Sequence, residues 1–178
     1  AYSATLLLQI SERAQPRADK DFLAYAPIFA GGLPAGTRGE RFLSENLATE
    51  TTRSADRVFG YLPASKTEVS SIFAVFEGTY GFFDKLFGGK SKILLEDAAN
   101  EAHLKLSDVA EYRYVHFATH GFVNEANPRL SGLVLTQDST SGEDGILHLG
   151  EIYHLQMNAD LVVLSACETG LGQIAKGE

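Results

Sequence analysis

Residues 114–121 read YVHFATHG, and residues 159–170 read ADLVVLSACETG. Both segments contain continuous apolar runs rich in β-branched and aromatic residues, a pattern typical of strands buried on both faces of a parallel sheet. Each run ends near a residue whose side chain can act as a base or a nucleophile, with a glycine nearby. This residue is His120 in the first segment and Cys167, the only cysteine of the chain, in the second. A base and a nucleophile at the ends of two buried strands suggest thiol catalysis.

Outward from these segments, predicted strands alternate with predicted helices. The strands are predicted at 21–26, 93–95, 113–118, 133–135, 145–147 and 161–166. The helices are predicted at 67–76 with Ser65 or Thr67 as the cap, from Asn100 as the cap through Leu106, and at 149–155. This alternation predicts an α/β fold with a mainly parallel sheet flanked by helices. A length of 178 residues suits one domain spanning residues 1–178.

Two stretches carry no clear period. Residues 31–65 are rich in Gly, Ser, Thr and Arg, and they are predicted to form a surface loop or insertion. Residues 78–92 mix glycines with aromatic residues, which indicates a loop whose aromatic side chains pack either on a partner or within the loop itself.

Composition excludes several classes of protein. Lys and Arg total 15 against 23 Asp and Glu, a net charge of −8, and no basic cluster is visible, so direct nucleic-acid binding is not expected. No apolar run approaches the roughly 20 residues that span a bilayer, so no membrane association is expected. A single cysteine forms no internal disulfide, which favours the cytoplasm. The sequence begins without methionine, and we expect it to be a fragment of a longer protein.

The two strand ends can form one site if their strands are neighbours, because the carboxyl ends of parallel strands meet at the same edge of a sheet. His120 would then take the thiol proton of Cys167, and the backbone amides of Gly121 and Cys167 are candidates for an oxyanion hole. Glu168 and Asp160, which flank the cysteine strand, are candidate substrate-binding residues suited to a basic P1 side chain. The alternatives are a cysteine that is only a small buried apolar residue and a histidine with a structural role.

A metal site is not expected. On a strand, His116 and His120 point to the same face but lie about 13 Å apart, too far to share one ion. The remaining histidines, at 103, 148 and 154, are scattered. No phosphate-binding glycine loop, dinucleotide fingerprint or Gly-x-Ser-x-Gly turn is present, so no cofactor is expected.

The motifs HFATHGF at 116–122 and LSACETG at 164–170 together resemble the CHAT family of caspase-like domains, which are often joined to tetratricopeptide repeats. Further resemblance lies in NPRLSGL at 127–133, DGIL at 144–147, and LLEDA at 94–98. It implies a caspase-like sandwich, incomplete at both ends, of the type found in clan CD. It also implies that His120 is the base and Cys167 the nucleophile, with Gly121 and Cys167 amides as the oxyanion hole.

Two functions follow from this resemblance. The first is a cysteine endopeptidase that hydrolyses protein or peptide substrates through an acyl-thioester, with a tetratricopeptide-repeat region as the expected partner in the parent protein. The second is a catalytically silent caspase-like module used for assembly or signalling. An intact His120 and Cys167 pair favours the first, since a scaffold has no physical need for both residues.

Overall fold

The structure is a computed structural model that describes residues 18–29, 36–47, 59–79, 90–124 and 127–166. The strands within these ranges are β1 (Lys20–Ala26), β2 (Ser91–Leu95), β3 (Tyr112–Ala118), β4 (His120–Phe122), β5 (Gly132–Val134), β6 (Ile146–His148) and β7 (Leu161–Ser165). The α-helices within them are α1 (Arg38–Leu47), α2 (Pro63–Thr79), α3 (Glu101–Leu106) and α4 (Leu149–Ile152).

The main sheet has four strands in the order β2-β1-β3-β7, and every pair is parallel. With helices packed around it, this sheet confirms the predicted α/β class and is consistent with a caspase-like sandwich. The predicted strands at 21–26, 93–95, 113–118 and 161–166 are confirmed. Because β3 and β7 are parallel neighbours, their carboxyl ends lie side by side at one edge of the sheet.

A second, smaller sheet is antiparallel and has the order β4-β5-β6. It confirms the two short strands predicted at 133–135 and 145–147. Only Thr119 separates the end of β3 from the start of β4. The chain therefore crosses from the main sheet to the small sheet immediately before His120.

The strands of the main sheet are buried on both faces at the centre. One face packs against α2 through Phe22, Ala24, Ala26, Val69 and Ala118. The opposite face packs against α3 and the small sheet through Leu23, Tyr25, Leu104, Val115, Phe117, Leu133 and Leu147. The alternation of β1 and β3 side chains between these two faces explains why both strands read as continuous apolar runs.

The helix starts were predicted with mixed success. Asn100 caps α3 as expected, since its side chain accepts a hydrogen bond of 2.7 Å from the backbone N–H of His103. The prediction that Ser65 or Thr67 caps α2 is wrong, because α2 begins at Pro63 and contains both residues. Proline suits this first position, where its missing N–H would have no partner within the helix. The helix predicted at 149–155 is confirmed in a shorter form as α4.

The prediction of a loop over residues 31–65 is wrong, because α1 occupies Arg38–Leu47. Its start carried a signal: Thr37 and Glu40 have the spacing of a capping box, and the Thr37 hydroxyl oxygen accepts a hydrogen bond of 3.2 Å from the Glu40 N–H. Position 39 of this helix requires glycine, because a Cβ atom there would clash with the carbonyl oxygen of Asp144. The loop predicted at 78–92 falls mainly on residues 80–89, which lie outside the described residues.

Strand β7 departs from the expected burial on both faces. Leu161, Val162 and Leu164 are 53%, 40% and 59% exposed. The reason is its position, since β7 is an edge strand of the described sheet and borders only β3. Among the described helices, none combines the length and apolar character needed to cross a membrane.

Candidate functional site

His120 is held at the junction between the two sheets. Thr119, which is 1% exposed, donates a hydrogen bond from its hydroxyl to the carbonyl oxygen of Val134. Val134 is also the residue paired with His120 across β4 and β5. The side chain before the histidine and the strand beside it therefore fix the backbone that presents the imidazole.

The imidazole of His120 is buried and bonded on one side only. Its Nε2 lies 2.8 Å from the carbonyl oxygen of Gly60. A carbonyl oxygen only accepts hydrogen bonds, so the proton of the neutral ring is on Nε2 and the lone pair is on Nδ1. Nδ1 is buried and has no hydrogen-bond partner among the described residues. This arrangement leaves a basic nitrogen available to a group that approaches from outside the described residues.

Two aromatic rings enclose the imidazole. Phe29 stacks on it with ring centroids 5.4 Å apart and an angle of 30°, and Phe59 meets it edge-on at 5.4 Å and 78°. Burial among these rings lowers the pKa of His120 below its usual value, and the hydrogen bond to Gly60 opposes this shift only in part. The shift favours the neutral ring, which is the form that can accept a proton.

The end of β7 lies beside the end of β3, two residues before His120. Ala118 pairs with Ser165, so each β3 residue pairs with the β7 residue 47 positions later in sequence. The two segments stay close past the ends of β3 and β7: a Cβ atom on Gly121 would lie 3.2 Å from the Cβ atom of Ala166. Any side chain at Gly121 would press on Ala166, which explains the glycine after the histidine.

Cys167 follows Ala166 directly and lies outside the described residues, as does Glu168. Consecutive Cα atoms are about 3.8 Å apart, so Cys167 begins one residue from the position that contacts Gly121. The roles predicted for Cys167 and Glu168 stay predictions. The oxyanion-hole role of the Gly121 amide also stays a prediction.

Asp160 lies at the other end of β7. Its carboxylate accepts a hydrogen bond of 2.8 Å from Nε of Arg113, and its N–H donates to the carbonyl oxygen of the same arginine. Six residues of extended chain separate Asp160 from Ala166, which corresponds to roughly 20 Å. The structure therefore does not bring Asp160 to His120.

His116 does not face the same partners as His120. Its Nε2 lies 2.9 Å from a carboxylate oxygen of Glu68 on α2, and its ring is in contact with Phe22 on the helix-covered face of the sheet. His116 thus links β3 to α2, away from Gly60 and Phe59.

One group of carboxylates could be mistaken for a metal site. Glu101, Glu143 and Glu151 each bring an oxygen within 4.8 Å of the others. The ammonium group of Lys105 lies among them, at 2.7, 2.8 and 2.6 Å respectively. We call these four residues the Lys105 cluster. Burial alone would lower the pKa of Lys105, but the three carboxylate bonds outweigh it and raise the pKa. The lysine supplies the positive charge that a cation would otherwise provide.

Sequence reasoning missed the residues that orient His120, namely Phe29, Phe59, Gly60 and Thr119. Thr119 adjoins the histidine and could have been suspected as a buried hydroxyl at a strand end. Gly60 acts through its backbone carbonyl, which any residue carries, so no side-chain pattern could have pointed to it. The two phenylalanines read as ordinary core residues.

Comparison with known proteins adds one finding. No curated protein and no solved structure matches the chain. The sequence profile described as the CHAT domain matches residues 1–178, the whole of the given sequence. With a parallel sheet that presents a buried histidine beside the end of β7, the chain belongs to the CHAT domain family, which is related to the caspase-like peptidases.

Proposed function

We propose that this domain is the core of a cysteine endopeptidase in which Cys167 is the nucleophile and His120 is the general base. The observation that carries the proposal is the state of His120: its proton is on Nε2, bonded to Gly60, and its Nδ1 is buried without a partner among the described residues. An unbonded buried nitrogen costs free energy, and Nδ1 of His148 is in the same state. What distinguishes His120 is its position just past the end of β3, where Gly121 lies against Ala166.

The position of the cysteine supports the pairing. The residue before Cys167 lies against the residue after His120, close to the point where the parallel strands β3 and β7 end. Parallel neighbours of this kind place their strand ends at one edge of the sheet, where reactive groups of α/β proteins collect.

The chemistry begins with a thiol and a neutral imidazole. An unperturbed thiol has a pKa of about 8.5, and burial holds the pKa of His120 below its usual value. The proton of Cys167 moves to Nδ1 as the sulfur attacks the carbonyl carbon of the scissile peptide bond. The backbone amides of Gly121 and Cys167 would donate to the resulting oxyanion. The imidazolium then protonates the leaving amine, and an acyl-thioester remains.

The second half of the reaction reverses these roles. Nδ1 of His120 takes a proton from water, whose oxygen attacks the thioester carbon, and the thiol leaves with the proton returned by the imidazolium. Gly60 serves both halves, because its carbonyl keeps the Nε2 proton in place and stabilises the charged ring when it forms. Glu168, next to the nucleophile, is the remaining candidate for contact with a basic P1 side chain.

The decisive experiment measures covalent labelling of the purified protein by a peptidyl acyloxymethyl ketone, followed by intact mass spectrometry. We expect Cys167→Ala to abolish labelling and His120→Ala to slow it by about 10²- to 10⁴-fold, the usual contribution of a general base. His116→Gln is the matched control, since it alters a buried imidazole on the same strand that bonds to Glu68 instead. Labelling of His120→Ala at the wild-type rate would show that the base is assigned wrongly.

A second candidate function is a binding module without turnover. The exposed apolar side chains of β7 favour it, because an edge strand of this kind suits docking of another chain. Incubation of the purified protein with a peptide library separates the two proposals. Cleavage that disappears in Cys167→Ala supports the peptidase, and binding without any cleavage supports the module.

A further inference from the structure

The chain makes a strained turn where β1 ends. Ile28 and Phe29 have φ angles of 64° and 54°, in the left-handed region that residues with side chains rarely adopt. The N–H of Phe29 donates a hydrogen bond of 2.7 Å to the carbonyl oxygen of Pro27, which closes a three-residue turn. A β-branched isoleucine in such a turn is disfavoured, so the surrounding structure must stabilise it.

The stabilising contacts come from the segment that bonds to His120. The carbonyl oxygen of Ile28 accepts a hydrogen bond of 2.7 Å from the N–H of Leu62, two residues after Gly60. Ile28 and Phe29 are 3% and 6% exposed, so both side chains are within the core. Phe29 packs there in one cluster with Phe59 and Phe122.

The same turn controls the surroundings of the imidazole on two sides. It directs the Phe29 ring onto the imidazole, at 5.4 Å between centroids. Through Leu62 it also holds the segment that contains Phe59 and Gly60, and these supply the edge-on ring and the carbonyl acceptor. Rotation of the His120 ring about its Cβ–Cγ bond would carry Nε2 away from the carbonyl oxygen of Gly60, and a stacked neighbour opposes that rotation.

We propose that the Pro27–Phe29 turn is a positioning element for His120 and that Phe29 is its positioning residue, keeping Nε2 on Gly60 and Nδ1 toward the end of β7. The proposal rests on the assignment of His120 as the base. Phe29 acts through the imidazole and touches no reacting atom. Backbone strain at this place is retained because relaxing the turn would withdraw the ring that fixes the base.

The test reads the tautomer of His120 directly, by nitrogen NMR of protein labelled with ¹⁵N-histidine. For the wild type we expect one nitrogen with a bonded proton and one with a lone pair. In Phe29→Ala the two signals should move toward each other as the tautomers exchange. Labelling of Cys167 by the peptidyl ketone should slow by about tenfold, since small misplacements of a catalytic group cost this much or more.

Two further variants keep the test informative if alanine disturbs folding. Phe29→Tyr retains a stacking ring and should restore both the separated signals and a labelling rate within about twofold of the wild type, whereas Phe29→Leu retains only bulk and should not. Phe76→Ala is the matched control, since it removes a stacked pair with Phe22 (4.9 Å, 12°) on the opposite face. Its His120 signals should match the wild type.

The outcomes separate the two proposals. Wild-type signals and rate in both Phe29→Ala and Phe29→Leu would overturn the positioning role alone. Unchanged labelling in His120→Ala would overturn the peptidase assignment, whatever the spectra of the Phe29 variants show.

Discussion

Two sets of polar groups next to the edge strands of the small sheet, the Lys105 cluster and His120, are bonded to very different extents. At the β6 edge, the Lys105 cluster brackets the strand: Glu101 accepts from the N–H of Gly145, just before β6, and Glu151 accepts from the N–H of His148 at its end. Lys105 donates to three carboxylates. At the β4 edge, His120 has one partner, the carbonyl oxygen of Gly60, and its Nδ1 has none among the described residues.

The Lys105 cluster is a structural polar network, whereas His120 has the unbonded nitrogen that its proposed role as a base requires. All three protons of the Lys105 ammonium are used within the molecule, as are both carboxylate oxygens of Glu101 and Glu151. Such a network holds segments together and has little capacity left for a ligand. Nδ1 of His120 has no hydrogen-bond partner among the described residues, which costs stability but leaves a lone pair for proton transfer.

Disrupting the Lys105 cluster should produce the largest effect on stability. We expect Lys105→Met to lower the free energy of unfolding by about 3 kcal/mol, because it leaves the buried Glu101 carboxylate without its cation. Urea unfolding at neutral pH measures the change. Lys92→Met is the control, since Lys92 is exposed and contacts only the ring of His103 among the described residues.

The same variant sharpens the comparison with His120. At low urea, where Lys105→Met is still folded, the rate of Cys167 labelling should equal that of the wild type. A loss of stability under about 1 kcal/mol would contradict the structural role of the cluster, since surface changes usually stay within that range. A large loss of labelling in folded protein would contradict its separation from the site.

The pH dependence of stability should differ in sign between His120 and His148. Burial lowers the pKa of His120, so its contribution to stability is complete above the unfolded value near 6.5 and is lost as the pH falls through the lowered pKa. The Asp144 carboxylate, 3.8 Å from Nε2, raises the pKa of His148, with burial opposing it. That contribution is complete below about 6.5 and is lost as the pH rises through the raised pKa.

Urea unfolding between pH 5 and 8 tests both signs. Relative to His120→Gln, the wild type should lose stability on acidification below pH 6.5, by at most about 1.4 kcal/mol per pH unit. Relative to His148→Gln, it should lose stability on going from pH 6.5 toward pH 8. Parallel curves for the wild type and His120→Gln would show that the ring is not held neutral by the fold.

The smallest effect is expected at the opposite end of β7. Asp160→Asn should leave the Cys167 labelling rate within about twofold of the wild type, because Asp160 is bonded to Arg113 and an exposed ion pair contributes little. Peptidyl ketones with a basic and a neutral P1 residue should show the same ratio of rates before and after the change. A selective loss with the basic probe would bring Asp160 back as a substrate-binding residue.

The sequence was sufficient where patterns are local. Apolar runs predicted the strands that end near His120 and Cys167, and Asn100 predicted the start of α3. Both patterns are local, because strand burial and helix caps act through neighbouring residues. The burial of β7 was overestimated, since an apolar run does not tell a central strand from an edge strand. The α1 helix was missed even though the Thr37 and Glu40 spacing was present.

The remainder depends on contacts between distant segments. Phe29 and Gly60 reach His120 from 91 and 60 positions away in sequence, through a ring face and a backbone carbonyl. Neither contact leaves a recognisable pattern in one sequence. Asp160 shows the opposite problem. It is close to the cysteine in sequence, but the extended strand between them places it at the other end of β7.

The pairing of β3 with β7 makes the number of residues in β7 a determinant of chemistry. One extra residue inserted after Val163 would move Ser165 into the place of Ala166 against Gly121, and it would turn every later side chain to the other side of the sheet. An insertion of similar size in the surface turn at Thr140–Gly142 should be absorbed without such a shift. The length of β7, five residues, is therefore constrained by its pairing with β3, whereas the turn at Thr140–Gly142 is expected to accept an insertion.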